Sequence, residues 1–309
     1  MRNEGQNKKT GGFTLIELLI AMILAAIVVT PLLSFMLNIM DTERKERAKA
    51  TSEQEIQSAL DYIAQDLEQA VYIYDADGLN NNSTTTTATS GIKNQIPPIA
   101  SVPGCGTTTP TCVPVLVFWK REFRQVDIPK QKDTEDTFTY SLVAYYLIKG
   151  NNANETWSSA ARIGRFQIKD GVKNPTNPIK ANGYPNYIEE PSKGFQLFNL
   201  RLPGITLNDK MNRWQKTKED YTAGVNTLVD FIDQSKIKHN CPENTQQVPS
   251  IIAGGFYACV DSSTTSAQVY IRGNALARLD NNATYSANNS MYFPTTSIQI
   301  KGRGSLSVE

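Results

Sequence analysis

Apolar and polar positions along this 309-residue chain fall into two regimes. Residues 18–40 carry no charge, and such a run of about 23 positions is what an α-helix needs to cross a bilayer. One carboxylate, Glu17, stands at its head, behind Gly11, Gly12, Phe13 and Thr14. Residues 41–49 then interleave both charge signs at helical spacing, which supports a solvated helix. Beyond them Ile56, Leu60, Ile63, Leu67 and Val71 recur at steps of three and four, a single apolar stripe. No glycine lies between Phe13 and Asp77, and Pro31 is the only proline there. The pattern predicts one nearly continuous helix over 13–74, on the order of 90 Å long. Its first half suits lipid, and its second half should bury the stripe against a sheet. The segment 75–81 should end it.

The remainder reads as β-rich with long loops. Val115 to Trp119 is a buried-type strand. Residues 137–148, with Tyr140, Leu142, Val143, Tyr145, Tyr146 and Ile148, form another. The charged stretch 120–136 between them reads as a loop or an extended hairpin end. Residues 163–168 alternate as a third strand, and 195–200 form a short apolar segment. Val225, Leu228, Val229 and Ile232 stand at helical spacing and predict a short second helix over 220–234. Residues 248–260 and 267–279 read as strands around loops, and 298–301 as a last edge strand. The Pro-, Thr- and Asn-rich stretches 80–114, 171–191 and 281–290 read as surface loops.

Composition narrows the function class. Formal charge is +1, and no clustered basic face suggests nucleic acid. The basic Arg2, Lys8 and Lys9 precede the apolar run against Glu4 alone, which orients the N-terminus to the cytoplasm and the rest outward. An intramembrane carboxylate needs a partner, so Glu17 is a functional candidate. Four cysteines, Cys105, Cys112, Cys241 and Cys259, allow three pairings. Proximity favours Cys105 with Cys112 and Cys241 with Cys259, and an exported body makes disulfides plausible. A zinc site is the alternative, but there is one histidine, His239, and no Cys-x-x-Cys. Asp75, Asp77 and Asn81 could hold calcium, though the pattern lacks the length and final glutamate of an EF-hand, and Asp-Gly makes a turn without metal. No nucleophile elbow, P-loop, His-Glu-x-x-His or Rossmann glycine pattern is present. No enzyme and no cofactor are expected. His239 beside Cys241 and the pair Glu189-Glu190 read as polar loop residues. Trp119, Trp157 and Trp214 could stack on sugar rings, with core packing the commoner use.

The string Gly12-Phe13-Thr14-Leu15-Ile16-Glu17 after a lysine-containing leader resembles the signal of type IV pilins and the pseudopilins of type II secretion. The resemblance implies a prepilin peptidase cutting after Gly12, N-methylation of Phe13, and pairing of Glu17 with the methylated terminal amine of a neighbouring subunit. Pilins often carry a proline where Pro31 stands, which accompanies local helix melting, although membrane helices tolerate proline anyway. Asp66-Leu67-Glu68-Gln69-Ala70 resembles the J type of minor pseudopilin and the PilW-like minor pilins. Val269-Tyr-Ile-Arg-Gly-Asn-Ala-Leu-Ala-Arg278, with Tyr292-Phe-Pro-Thr-Thr and Gln299-Ile-Lys-Gly-Arg303, is similar to pseudopilins of hormogonium polysaccharide secretion in filamentous cyanobacteria.

The expectation is an α+β, pilin-like chain whose long N-terminal transmembrane helix packs on an antiparallel sheet with long loops. It divides into a leader (1–12), a membrane half-helix (13–40), an amphipathic half-helix (41–74) and an extracytoplasmic body (75–309). The partners expected are other pilins, the prepilin peptidase, an inner-membrane assembly platform and membrane lipid. The competing expectation is a membrane-anchored extracytoplasmic carbohydrate-binding protein.

Overall fold

The computed structural model describes residues 11–84, 89–100, 102–106, 111–127, 134–149, 156–202, 206–236, 240–251, 254–280, 283–304 and 306. The chain is α+β. Its first element, α1, is a 54-residue helix, Leu15–Glu68, about 80 Å long at the standard rise. By packing, the chain divides into residues 1–47 and residues 48–309. In the first unit every described residue from 11 to 44 is exposed. In the second, Ile56, Leu60, Ile63 and Leu67 are buried, so the apolar stripe does what its spacing requires.

The helix stops six residues short of the expected end. Residues 70–73 are instead a strand, β1 (Ala70–Ile73), every position of which is buried. Val, Tyr and Ile favour a pleated surface over a helix, and pairing to a neighbouring strand settles the competition. Asp75 does not close α1. It caps a separate short helix, α2 (Ala76–Asn80), accepting a hydrogen bond from the Gly78 amide.

Strands β2 (Cys112–Asp127) and β3 (Thr134–Ile148) form a long antiparallel hairpin. The charged stretch expected between them is therefore largely strand. Two further strands, β4 (Ala161–Lys169) and β7 (Asn226–Ile232), complete a five-stranded sheet in the order β1-β2-β3-β4-β7. Between β4 and β7 in the chain lie the small ribbon β5 (Val172–Lys173) with β6 (Tyr187–Glu189) and a helical turn, α3 (Leu207–Met211).

The expected second helix is thus β7. Opposite it, Ala161 pairs with Ile232 and Ile163 with Val229, two steps on β4 against three on β7. That bulge, with Phe231 at φ 58°, puts Val229 and Ile232 on one face and imitates a helical spacing.

A second antiparallel sheet, ordered β11-β10-β9-β8, contains β8 (Gln246–Val248), β9 (Phe256–Asp261), β10 (Ser266–Arg272) and β11 (Thr295–Lys301). Arg272 clamps Asp233 beyond β7 through Nε at 2.7 Å and Nη2 at 2.5 Å, and Ile232 bridges Gly273, so the two sheets are joined. After β11 the chain returns to the end of α1. The Arg303 amide donates to the Glu68 carbonyl at 3.0 Å, and the Gly304 amide to that of Ala70 at 3.1 Å. A Cβ at Gly302 would collide with the Ala70 carbonyl oxygen, which is why this close approach uses glycine.

The five-stranded sheet is buried on both faces, as the successive buried Phe118 and Trp119 require. On one, Phe118 stacks on Tyr145, whose hydroxyl donates to Asp66 of α1 at 2.6 Å. On the other, Trp119 meets Phe195, Phe198 and Trp214 edge-to-face and donates to the Tyr74 hydroxyl at 3.0 Å. Trp119 and Trp214 are core residues.

Asp66 is the polar centre of the helix–sheet contact. Lys120 Nζ and Arg165 Nε each lie 2.8 Å from its carboxylate, and Glu122 takes the other side of Lys120 at 2.5 Å. Burial opposes the Asp66 charge, but Arg165 and Lys120 outweigh it and hold the carboxyl below its usual range. The same burial, with the Asp66 charge, pushes the Tyr145 hydroxyl far above its ordinary value. Because the folded Asp66 pKa is depressed, its contribution is full above the unfolded value of about 3.9 and is lost as pH falls through the lower folded value. Asp66→Asn strands buried cations and should cost about 3 kcal/mol. Denaturant unfolding followed by tryptophan fluorescence should show this loss at neutral pH, with the gap to the parent protein narrowing as pH falls through the lowered folded value.

Candidate functional site

The head of α1 begins at Leu15, with Thr14 just outside it. The Thr14 amide and hydroxyl both donate to Glu17 Oε2, at 3.0 and 2.8 Å. The Glu17 amide in turn donates to Thr14 Oγ1 at 3.4 Å. This is a reciprocal capping box, in which the third helical residue and the cap satisfy each other's free groups. The Thr-x-x-Glu spacing before an apolar run was the signal for it, and reading Glu17 only as an intramembrane charge missed it.

Among the described residues both hydrogen-bond partners of Glu17 are atoms of Thr14, and neither is a cation. Around it Phe13, Leu15, Ile16 and Leu18 are all exposed. Gly11 and Gly12 are exposed too, and a side chain at either would meet nothing within 4 Å. Packing among the described residues therefore gives no reason for two glycines here. Farther along, α1 runs through Pro31 without ending. Proline removes one backbone donor, and the preceding Thr30 hydroxyl donates to the Ala26 carbonyl at 2.8 Å. Among the described residues α1 alone is long and apolar enough to cross a membrane.

The other sequence candidates lie apart from this head. Cys105 is bonded to Cys112 and Cys241 to Cys259. Asp75 is buried, and its second oxygen accepts from Asn208 at 3.0 Å and Ser262 at 2.9 Å. Asp77 accepts from Gln246 at 3.3 Å, and the Asn81 amide group donates to the Asp77 carbonyl at 3.0 Å. Asp75 and its neighbours therefore act as caps and ties between loops. Among the described residues no group of three His, Cys, Asp or Glu is placed to hold a metal ion. His239 lies outside the described residues. Glu189 pairs with Arg124 at 2.5 Å and Glu190 with Lys180 at 3.6 Å. Trp157 remains in solvent.

A family model described as the prokaryotic N-terminal methylation motif matches residues 7–33. No curated protein and no solved structure matches the chain. The motif supports a type IV pilin- or pseudopilin-like structural subunit, with other pilins and a prepilin peptidase as the partners it implies. The motif and the exposed apolar helix together fit membrane anchoring.

Thr14→Ala removes the cap, a loss of about 1 kcal/mol confined to the first turn. Hydrogen exchange on the full chain in lipid nanodiscs should show faster exchange of the amides at 15–18, with residues beyond Ala48 unchanged.

Proposed function

We propose that the chain is a minor pseudopilin, a structural subunit of a type II secretion or type IV pilus-like filament. The observation that carries the reading is the head of α1, where the methylation motif, two unpacked glycines and a capped carboxylate coincide at the start of an uncharged span.

Gly12 is exposed and carries no side chain, which leaves the bond to Phe13 open to a peptidase. Cleavage there makes Phe13 the new terminus and its amine the site of methylation. The amine of a neighbouring subunit then presents a cation to Glu17, in place of the weaker Thr14 donors. In hydrocarbon that exchange is strongly favourable, because an ion pair satisfies a charge that two neutral donors only partly solvate. Each incoming helix would be set at one axial stagger by this pair. Residues 1–12 are read as a cytoplasmic leader, 13–40 as the span, and the body from 48 onward as extracytoplasmic. No turnover is involved.

The finer assignment is a J-type minor subunit supporting polysaccharide secretion and gliding motility. It rests on the strings around Asp66 and at 269–278. Both strings have structural work in the fold: Asp66 fixes α1 to the sheet, and Gly273 and Arg278 meet α1 at Ser52 and Glu55.

Intact mass and N-terminal sequencing of the protein from its native membrane test the reading. A start at methylated Phe13 supports it. A start at Met1, or cleavage near Ala26, overturns it. Glu17→Ala should leave the body folded while filament incorporation falls at least tenfold.

A further inference from the structure

An open cleft of about 990 Å³ lies between the α1 face from Thr51 to Tyr62, the edge strand β7 and the turn after β10. Trp157 and Tyr62 line it, each 44% exposed, together with Gln54, Glu55, Asp230 and Arg278. The volume is at the upper end of what ligand sites enclose.

Three independent features converge here. Trp157 is in solvent, whereas Trp119 and Trp214 are both buried. Arg278 donates to Glu55 and lies 4.1 Å over the Phe231 ring, yet its Nε is buried with no hydrogen-bond partner among the described residues. Phe231 itself lines the cleft in the left-handed region, at φ 58°. An unmet buried donor and a strained aromatic backbone both cost stability, and such features gather where a site is held ready for something else.

We propose that this cleft binds a neutral glycan chain. Indole and phenol rings offer flat apolar faces to the C–H face of a sugar ring and keep a polar edge in water. Around them stand the Glu55 carboxylate, the amide of Gln54 and the hydroxyls of Thr51 and Ser58, the mixture of donors and acceptors that vicinal hydroxyls require. One cation faces two carboxylates, which disfavours a polyanion. An extended peptide added to β7 is the rival occupant, but little of that edge is free. Phe231 already accepts from the Asn274 amide at 2.7 Å, and the Asp233 amide donates to Arg272 at 3.0 Å. Asp230 is turned onto Ser158, amide and hydroxyl both at 2.8 Å. The inference rests on the cleft alone and stands apart from the filament reading.

The full chain in glycolipid-free nanodiscs is titrated with neutral hexaoses of cellulose, laminarin, amylose and chitin types, by calorimetry and by tryptophan emission. At least one hexaose should bind saturably and shift the emission, which reports Trp157 because the other two indoles are buried. Trp157→Ala should weaken binding about tenfold and Tyr62→Ala severalfold, while Trp157→Phe keeps most of it. Trp157→Ala should unfold near the parent midpoint, whereas Tyr62→Ala also loses the ring 5.5 Å from the Arg165 guanidinium and should unfold somewhat earlier, so the Trp157 variant decides the test. The proposal is overturned if no hexaose binds, if Trp157→Ala binds as the parent does, or if only acidic polymers or peptides bind.

Discussion

The contact on which the body depends is the carboxylate of Asp66 held between Lys120 and Arg165, with the Tyr145 hydroxyl as a third donor. The apolar stripe of α1 supplies the drive to bury a helix face, but burial by itself is indifferent to sliding by a turn. A buried carboxylate is not indifferent. It must find its cations, and those cations stand on β2 and β4, on either side of the β3 tyrosine. The ion cluster therefore fixes the position of the helix along the sheet. A second buried pair, Arg272 with Asp233, performs the same office between the two sheets.

Long-range periodicity was legible in the sequence. The stripe at Ile56, Leu60, Ile63 and Leu67, the strands around Trp119 and Tyr145, and the edge strand near Ile298 are all where their patterns put them. What failed was local ambiguity. Val229 and Ile232 stand three apart because a bulge inserts a residue, and a bulge leaves the same spacing as a helix. Ala70 to Ile73 continue the helical stripe in register, and only the presence of β2 as a pairing partner turns them into strand. Neither partner is visible from the segment itself. Nothing near Asp66 in the sequence reveals its role, because its cations lie 54 and 99 residues away.

The head of the helix shows the reverse imbalance. Its motif was legible in the sequence, since the string from Gly12 to Glu17 lies within the matched methylation motif. Its geometry was not, because a capping threonine had been read as part of a signal rather than as a ligand. Both descriptions hold together. Thr14 gives the carboxylate two neutral donors from its own chain. Within residues 269–278 the fold places Gly273 against Ser52 and Arg278 against Glu55, contacts between residues more than two hundred positions apart.

The return of residues 302–304 to the end of α1 bears on the order in which the protein can be made. The carbonyls of Glu68 and Ala70 find their donors on residues more than two hundred positions later. A growing chain that has emitted the whole helix still carries an unfinished helix terminus and an unpaired flank of β1. The loop that must close is nearly the length of the body, and contacts at large sequence separation slow folding. A chain truncated before Gly302 would keep the strands of both sheets while losing the two hydrogen bonds that close this seam.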